Sequence, residues 1–295
     1  MKTPFNNKAR WIDDVIWHQI PRLKIEPRRK IAASLVAPFR PRTPGFTPSD
    51  RALTLKTQLE TRGYTDAFRL MTDEQVAEMR RYFERQPCFD GGHRQYGSFT
   101  IDKVPAPEIQ MARYVEEQFL AAPHLLDTIN HPLVLEVAEA FHGCKPTIDG
   151  MSVWWSLARP TPRISTQNYH RDYNQVRHFK MFLYLTDTDM GGGPHLYVPA
   201  SQHGKELLER RNHSDAEVEA VYGASAPVAL TGRAGDCFLA DNIGMHKALQ
   251  PTHSDRLIVV TEYTLLRNRF GPLKPVLPNP DRRYDPYVNR VYLRS

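Results

Sequence analysis

The chain has 295 residues, 41% of them hydrophobic, which is enough for one large domain with a substantial core or for two small domains. The sequence has no apolar run of about 18 residues, so we expect no transmembrane segment, and its N-terminal segment lacks the apolar core of a secretory signal. Cys88, Cys144 and Cys237 are too few and too widely spaced for a disulfide framework. These features predict a cytoplasmic protein.

The net charge of +6 is concentrated at one end of the chain. Residues 1–45 contain ten Lys or Arg and three acids, a net charge of +7, so the remainder is close to neutral. A basic arm can bind nucleic acid, acidic lipid or another subunit. A solvated arm packed along the domain is the simpler interpretation, and the near-neutral body argues against a nucleic-acid partner.

The basic segment belongs to a predicted N-terminal extension, residues 1–50. Apolar residues recur at helical spacing over residues 11–20, and a series of prolines follows. This pattern predicts one short amphipathic helix and then an irregular strap.

Residues 51–150 are predicted to form a helical support. Thr72 and Gln75 have the spacing of a capping box and begin a predicted amphipathic helix. Further helices are predicted over residues 107–120 and over Pro132–His142, where a glycine directly follows the last helical residue.

The pattern changes near residue 150, where short β-rich runs begin to alternate with turn residues. Regularly spaced strands with few helices between them favour an antiparallel sandwich or barrel over a parallel sheet. The predicted fold class is therefore mainly β with flanking α-helices. A helical insertion is predicted over residues 205–222, and residues 267–295 form a tail. The predicted strands cover residues 151–158, 179–186, 195–199, 228–230, 236–241 and 257–265.

Three residues with metal-binding side chains stand out within the β-rich half. His170 and Asp172 precede a predicted strand, and side chains at positions i and i+2 of an extended chain point to the same side. His246 follows 74 residues after Asp172. Two imidazoles and one carboxylate on one face of an octahedral ion leave positions open, as in non-haem Fe(II) oxygenases. A chelating oxoacid and dioxygen would use those positions.

Arg256 lies ten residues after His246, at the start of a very apolar strand. An unpaired buried charge is costly, so a guanidinium there needs an anionic partner. The distal carboxylate of 2-oxoglutarate would be such a partner. Each feature alone has an ordinary explanation: a chance His-x-Asp pair, a hydrogen-bonded core histidine or a surface arginine. Their order and placement together favour an iron site.

Four segments resemble the motif blocks of the phytanoyl-CoA dioxygenase-like family of Fe(II)/2-oxoglutarate oxygenases. In chain order they are QNYHRDYNQVRHFKMFLYLTDTD, GGGPHLYVPASQHG, AGDCFLADNIGMHK and HSDRLIVVTEY. The resemblance is clear over about residues 145–265 and absent from residues 1–50. It implies one oxygenase domain over residues 51–295, with a double-stranded β-helix (jelly-roll, cupin-like) core at about residues 151–266. Within the second block, Ala200 stands where glycine is commoner.

Position by position, the resemblance implies that His170, Asp172 and His246 hold Fe(II). It implies that Arg256 anchors the co-substrate 2-oxoglutarate, with dioxygen as the oxidant. No catalytic residue beyond the metal centre is required. Many members have Ser or Thr two residues after the distal histidine, where it helps to bind the co-substrate, but this chain has Ala248. Another group must then assist Arg256, or the co-substrate is held more weakly.

Further candidate site residues come from two predicted strands. Lys180 and Tyr184 share one face of a strand and are candidate helpers for the co-substrate. Trp154 and Trp155 lie on the strand before the metal motif and are candidates for the pocket wall. A packing or surface role is an equal alternative for Lys180 and Tyr184, and a core position is the commoner role for such tryptophans.

The resemblance implies hydroxylation of a C–H bond in a small-molecule or lipid-like substrate, with release of succinate and CO2. Halogenating relatives have a small residue in place of the carboxylate ligand, so the presence of Asp172 disfavours halogenation. Desaturation, epimerisation or ring closure would use the same ligands. An anionic substrate is an option because cationic side chains surround the metal motif, although exposed arginines have a simpler explanation. These residues are Arg159, Arg163, Arg171, Arg177 and His178.

Three alternative functions remain open at this level. A zinc-dependent enzyme would use the same ligands but would leave Arg256 without a role. A non-enzymatic binding protein of the same fold would predict a broken ligand set, and this set is complete. A membrane-binding or nucleic-acid-binding protein would act through the basic arm. The sequence makes no prediction of oligomeric state.

Overall fold

The computed structural model describes residues 24–173, 175–267, 272 and 274–294. The helix predicted over residues 11–20 lies outside these residues. The α-helices of the described residues are α1 Glu26–Val36, α2 Asp50–Arg62, α3 Asp73–Arg85, α4 Glu116–Leu120, α5 Leu125–Ile129, α6 Pro132–His142 and α7 Asp215–Tyr222. Short 3-10 helices cover Ala37–Phe39, Arg94–Tyr96, Ile101–Lys103, Ser165–Gln167, Met190–Gly192, Ser201–His203 and Pro280–Arg282.

The strands form one large sheet and two small ones. The large sheet has the antiparallel order β1-β9-β6-β11-β5-β4-β2-β3, the second sheet has the antiparallel order β10-β7-β8, and β12 pairs with β13 in parallel. The strands are β1 Phe68–Arg69, β2 Cys88–Phe89, β3 Ser98–Phe99, β4 Met111–Arg113, β5 Thr147–Ser156, β6 His178–Tyr184, β7 His195–Tyr197, β8 Val228–Leu230, β9 Asp236–Ala240, β10 His246–Ala248, β11 Arg256–Thr264, β12 Leu277–Pro278 and β13 Leu293–Arg294.

The large sheet is buried on both faces, because side chains of its central strands alternate between two cores. On β6, Met181 and Leu183 belong to the core shared with the helices. Phe182 and Tyr184 belong instead to the core shared with the strands β7 and β8. The interior between the large sheet and the β10-β7-β8 sheet is where the polar residues described below converge. The predicted fold class, mainly β with flanking helices and a jelly-roll core, is confirmed.

Two of the predicted helices are confirmed. In α3, the Thr72 hydroxyl accepts from the Gln75 N–H at 3.2 Å, and the Gln75 side chain accepts from the Thr72 N–H at 3.0 Å. This is the capping box expected from the sequence. Helix α6 spans the predicted residues and ends at Gly143, whose φ of 74° is the left-handed conformation that glycine adopts at low cost.

The helix predicted over residues 107–120 is wrong for most of its length, since only Glu116–Leu120 is helical. The segment Met111–Arg113 is instead strand β4, which pairs with the edge of β5. Tertiary pairing with an available strand edge overrides local helical spacing here. Two- and three-residue strands such as this one carry too little alternation to be recognised in a sequence.

The helical insertion predicted over residues 205–222 is confirmed only for Asp215–Tyr222. Ser214 begins this helix, because its hydroxyl accepts from the Glu217 N–H at 3.2 Å. Just before it, the His213 N–H donates to the Tyr169 carbonyl at 2.8 Å. That bond ties the segment to the strand-like chain before the metal motif and keeps it non-helical.

The N-terminal extension is ordered where it is described, and the irregular strap predicted after residue 20 is wrong over Glu26–Val36. Those residues form α1, which has a proline in its first turn. Ala33 and Val36 pack against Val176 and neighbouring apolar residues. Arg29 is buried and donates to the Gln202 carbonyl at 3.1 Å. This part of the extension therefore packs on the barrel, while the boundary proposed at residue 50 stays a prediction.

The turn after β7 contains Ala200 with a φ of 60°. A residue with a Cβ is strained in this left-handed conformation, which explains why glycine is the commoner residue in related sequences. The Ala200 N–H donates to the Arg62 carbonyl at 2.9 Å. Arg171 donates to the adjacent Ser201 carbonyl at 2.8 Å. These bonds hold the turn in place in spite of the strain.

The packing of α2 provides a test of this fold. Leu59 is fully buried in the large core, whereas Leu53 on the same helix is 43% exposed. We expect Leu59→Ala to lower the free energy of unfolding by about 3 kcal/mol, because it leaves a cavity in a packed core. Leu53→Ala is the matched control and should cost less than about 1 kcal/mol. Urea unfolding measures both, and equal losses would contradict the packing described here.

Candidate metal centre

Backbone pairing brings the metal-binding residues together. His170 and His246 form an isolated antiparallel bridge, with the His170 N–H donating to the His246 carbonyl at 2.9 Å and the reverse bond at 3.1 Å. The Asp172 N–H donates to the Asn242 carbonyl at 2.8 Å. His246 begins strand β10. Backbone hydrogen bonds alone therefore hold the chain around residue 170 beside β10.

The three side chains converge on one point. One ligand atom each from His170, Asp172 and His246 lies within 4.8 Å of the others, and each imidazole Nε2 is 3.7 Å from an Asp172 carboxylate oxygen. The Nδ1 atoms lie 2.9 Å from the backbone carbonyls of Asn168 and Gly244 respectively. An Nδ1–H that donates to a carbonyl leaves the Nε2 lone pair facing the centre. This donor set fits a divalent transition-metal ion.

Lys180 and Glu262 extend this cluster. The Lys180 ammonium donates to the Asp172 Oδ2 at 2.8 Å and lies 3.0 Å from the Glu262 Oε1. Lys180, a candidate helper for the co-substrate in the sequence, lies beside a carboxylate of the metal cluster. Its positive charge holds Asp172 in one orientation, as hydrogen-bonded partners of metal ligands do.

The protonation states of the cluster suit metal binding. Although burial alone would raise the pKa of Asp172, the charge of Lys180, which also donates a hydrogen bond to the carboxylate, lowers that pKa well below its usual range. Burial, together with the neighbouring His170, lowers the pKa of His246 to about 3. At neutral pH the carboxylate is therefore charged and the His246 imidazole neutral. These are the forms that bind metal, so no proton has to be displaced from them.

Two residues of the cluster were missed in the sequence. Glu262 is only 4% exposed, and Gly150 makes room for it, since a Cβ there would approach the Glu262 Cδ to 2.6 Å. The sequence feature that could identify Glu262 is an acidic residue within a very apolar strand. Asn242 lies beside the site, with its amide nitrogen 3.0 Å from the His246 Nε2. No sequence pattern marks this asparagine, because its position depends on the turn between β9 and β10.

Arg256 lies inside the barrel. Its side chain is 3% exposed, it is paired with Ser156 of β5, and its Nη2 donates to the Ser156 Oγ at 3.1 Å. Its Nε has no hydrogen-bond partner, and none of the described residues provides a carboxylate in an ion pair with it. A buried guanidinium remains charged. The site therefore contains a cation that an anionic ligand would neutralise.

The aromatic candidates take different positions. The Tyr184 hydroxyl lies in the interior and donates to the Leu230 carbonyl at 2.7 Å, which links the two sheets. Trp154 faces the same interior and packs on that core. Trp155 points to the opposite face, where its indole donates to the Tyr114 hydroxyl at 3.0 Å. Trp155 is thus a core residue on the helix side of the sheet rather than a wall of the site.

Most of the arginines near the metal motif have intramolecular partners. Arg171 donates to backbone carbonyls that include those of Ser201 and Ile243. Arg163 pairs with Asp215 at 2.9 Å, and Arg177 pairs with Glu60 at 2.9 Å. These contacts give the three arginines structural roles, and they provide no support for an anionic substrate.

The buried cluster makes a prediction about stability. Lys180→Met should lower the free energy of unfolding of the metal-free protein by about 3 kcal/mol, because Asp172 and Glu262 lose their compensating charge. A bound divalent ion supplies positive charge, so Zn(II) should raise the melting temperature of the variant more than that of the wild type.

Lys56→Met is the matched control for this substitution. Lys56 forms a half-exposed pair with Glu60 at 2.6 Å on helix α2, and such pairs contribute less than about 1 kcal/mol. Thermal and urea unfolding with and without Zn(II) measure these effects. If the two lysine variants lose the same stability, the cluster does not depend on Lys180.

Comparison with solved structures relates this fold to non-haem enzymes. The 2-oxoglutarate-dependent carbocyclase SnoK from nogalamycin biosynthesis has a TM-score of 0.53 and 20% identity over 75% of this chain and 87% of SnoK. HygX from Streptomyces hygroscopicus, solved with nickel, 2-oxoglutarate and hygromycin B, has a TM-score of 0.51 and 16% identity over 82% of this chain and 97% of HygX. At these identities the comparison shows a shared fold.

Comparison with sequences gives a more specific result. No curated protein matches this sequence, and no described helix is long and apolar enough to cross a membrane. The family model for phytanoyl-CoA dioxygenase (PhyH) matches residues 59–256. The cofactors expected from the sequence, Fe(II), 2-oxoglutarate and dioxygen, are those of this family. The chain therefore belongs to the phytanoyl-CoA dioxygenase family of non-haem Fe(II)/2-oxoglutarate oxygenases.

Proposed function

We propose that this chain is an Fe(II)/2-oxoglutarate-dependent dioxygenase that hydroxylates a C–H bond of a small-molecule or lipid-like substrate and releases succinate and CO2. One observation supports this proposal above the others. The metal-binding atoms of His170, Asp172 and His246 converge in the same barrel interior that buries the unpaired guanidinium of Arg256. A metal site and an anion site in one interior match a chelating dicarboxylate.

The proposed site residues form two groups, one for the metal and one for the co-substrate, at the two ends of the interior. His170, Asp172 and His246 would hold iron through two Nε2 atoms and one carboxylate oxygen. When bound, iron supplies the oxidative chemistry, in which dioxygen oxidises the substrate while 2-oxoglutarate is converted to succinate and CO2. Arg256 would bind the distal carboxylate of the co-substrate through its guanidinium fork. Lys180 keeps the Asp172 carboxylate oriented towards the metal position.

The walls between these ends exclude water. Phe182 and Phe238 stack with ring centroids 4.9 Å apart, and both are buried in the interior. The His195 ring lies 4.6 Å from Phe182 and is also buried. A dry interior strengthens the attraction between Arg256 and a carboxylate. It also keeps the reacting centre from water, which limits side reactions.

Hydroxylation is the proposed outcome because Asp172 supplies the carboxylate ligand that halogenating relatives lack. The fold is shared with SnoK, a carbocyclase, and with SnoN, an epimerase with a TM-score of 0.50 and 18% identity over 72% of this chain and 80% of SnoN. Product analysis would therefore distinguish hydroxylation from ring closure or epimerisation.

A zinc hydrolase would leave the buried Arg256 without a partner, and a non-catalytic binding protein would not need the complete ligand set.

Metal and co-substrate binding test this proposal directly. Anaerobic addition of Fe(II) and 2-oxoglutarate should give the weak visible charge-transfer band of a chelated oxoacid. His170→Ala should lose the band, because two ligands hold iron too weakly. An intact band in the His170→Ala protein would eliminate the ligand assignment.

The anion site has its own test. Arg256→Met should raise the Kd for 2-oxoglutarate by at least about tenfold while Fe(II) still binds, because a hydrogen-bonded ion pair is lost. Arg163→Met is the matched control, since Arg163 pairs with Asp215 and its side chain is 49% exposed. Unchanged 2-oxoglutarate affinity in Arg256→Met would show that Arg256 does not bind the co-substrate. Screening candidate metabolites for succinate formation would then identify the substrate class.

A further inference from the structure

The co-substrate site of this chain lacks one group that its relatives use. Related sequences often have Ser or Thr two residues after the distal metal histidine, and this chain has Ala248 there. A methyl group cannot donate a hydrogen bond, so Arg256 has no hydroxyl partner at that position. A carboxylate accepts several hydrogen bonds, and a buried one that receives too few is costly. The residues around Ala248 therefore decide how the distal carboxylate is held.

His195 is the cross-strand neighbour of Ala248. Strands β7 and β10 are antiparallel, and their register pairs His195 with Ala248 and Tyr197 with His246. Directly opposed residues share one face of a sheet, with Cβ atoms about 5 Å apart. His246 and Ala248 are two residues apart on β10, so their side chains also share that face. His195 thus points into the interior that contains the metal centre.

The His195 ring lies beside the metal centre, and the His195 backbone contacts Tyr184 near the arginine end of the interior. On one side it stacks on the His246 ring, with centroids 5.1 Å apart and planes at 21°. On the other side, the His195 backbone N–H lies 3.4 Å from the Tyr184 hydroxyl. Tyr184 is paired with Ile258, two residues from Arg256 on the same face of β11.

The His195 imidazole has an unused hydrogen-bonding atom. The residue is 5% exposed, and its Nε2 is buried with no hydrogen-bond partner. The surrounding rings of Phe182 and Phe238 cannot satisfy it, at centroid distances of 4.6 and 5.7 Å. A buried polar atom without a partner costs about 1–3 kcal/mol, so its presence points to a ligand. The Nε2 carries a hydrogen in the protonated imidazole and in one of the two neutral tautomers, so the argument does not depend on the charge of the ring.

Two other polar groups of the interior are committed elsewhere. The Lys180 ammonium binds Asp172 and Glu262. The Tyr184 hydroxyl donates its single proton to the Leu230 carbonyl. The rival is Ser156, whose hydroxyl accepts from both Arg256 and Trp154 at 3.1 Å and so retains a proton to donate.

We propose that His195 is a positioning residue that donates a hydrogen bond to the distal carboxylate of 2-oxoglutarate and so replaces the hydroxyl missing at Ala248. This inference rests on the proposed function, because it needs a co-substrate held by Arg256. The imidazole and the guanidinium then bind one carboxylate from two strands of facing sheets. The N–H of His195 reaches across the strand pair to the place that a Ser or Thr at position 248 would occupy.

The experiment compares His195→Leu with wild-type protein in anaerobic titrations of the Fe(II) complex, using the charge-transfer band to measure Kd. His195→Leu should raise the Kd for 2-oxoglutarate by about tenfold, the effect of one hydrogen bond to a charged group. The probe 2-oxopentanoate has the same chelating end but no distal carboxylate. Its Kd should be the same for both proteins. Equal weakening of both oxoacids would make the role of His195 merely structural and would overturn the proposal.

The double variant His195→Leu/Ala248→Ser is the rescue experiment. Its new hydroxyl lies on the same face of the strand pair and should recover most of the 2-oxoglutarate affinity, while Ala248→Ser alone should change little. A second readout is the rise in melting temperature that 2-oxoglutarate causes in the Zn(II) protein, which needs no turnover. Failure of Ala248→Ser to rescue, with normal melting of the Zn(II) protein, would count against the replacement.

Two further outcomes separate this inference from the proposed function. If wild-type protein with Fe(II) binds no 2-oxoglutarate, the proposed function is overturned and this inference with it. If wild-type protein binds it, Arg256→Met weakens binding and His195→Leu does not, only the inference is overturned. In that case Ser156→Ala should weaken binding, which would assign the second hydrogen bond to Ser156.

Discussion

The pair of backbone hydrogen bonds between His170 and His246 is the constraint on which the site depends. It fixes the segment with His170 and Asp172 against strand β10, although 74 residues separate Asp172 from His246 along the chain. Two Nδ1 contacts to backbone carbonyls then orient both imidazoles towards one point. A metal site built on paired strands is held more rigidly than one on loops.

Charge balance inside the barrel explains why the two ends of the interior differ. At the metal end, the ammonium of Lys180 is compensated by Asp172 and Glu262. At the other end, Arg256 is buried with a serine hydroxyl as its hydrogen-bond partner. Burying a charge without a counter-charge lowers stability. Such an arrangement is typical of binding sites, where a ligand of opposite charge completes the balance.

The large sheet allows this polar interior because its two faces pack against different parts of the protein. One face packs the helices and forms the main core, with Met181 and Leu183 among its members. The other face contributes Phe182 and Tyr184 to the core between the two sheets. The helices therefore stabilise the sheet from outside while the polar groups lie inside. Helix α1 adds to this support by packing on Val176, four residues after Asp172.

The sequence by itself determined the features that depend on local spacing. The i, i+2 relation of His170 and Asp172, the capping box of α3 and the mainly β second half all follow from periodicity and side-chain chemistry. Motif resemblance strengthened the assignment of the third ligand, His246, and of Arg256. Only the tertiary structure decided that His195 opposes Ala248, that Glu262 meets Lys180 and that β4 replaces a predicted helix. The reason is physical: strand register and sheet order set these neighbours, and a one-residue shift of register would turn each side chain to the other face.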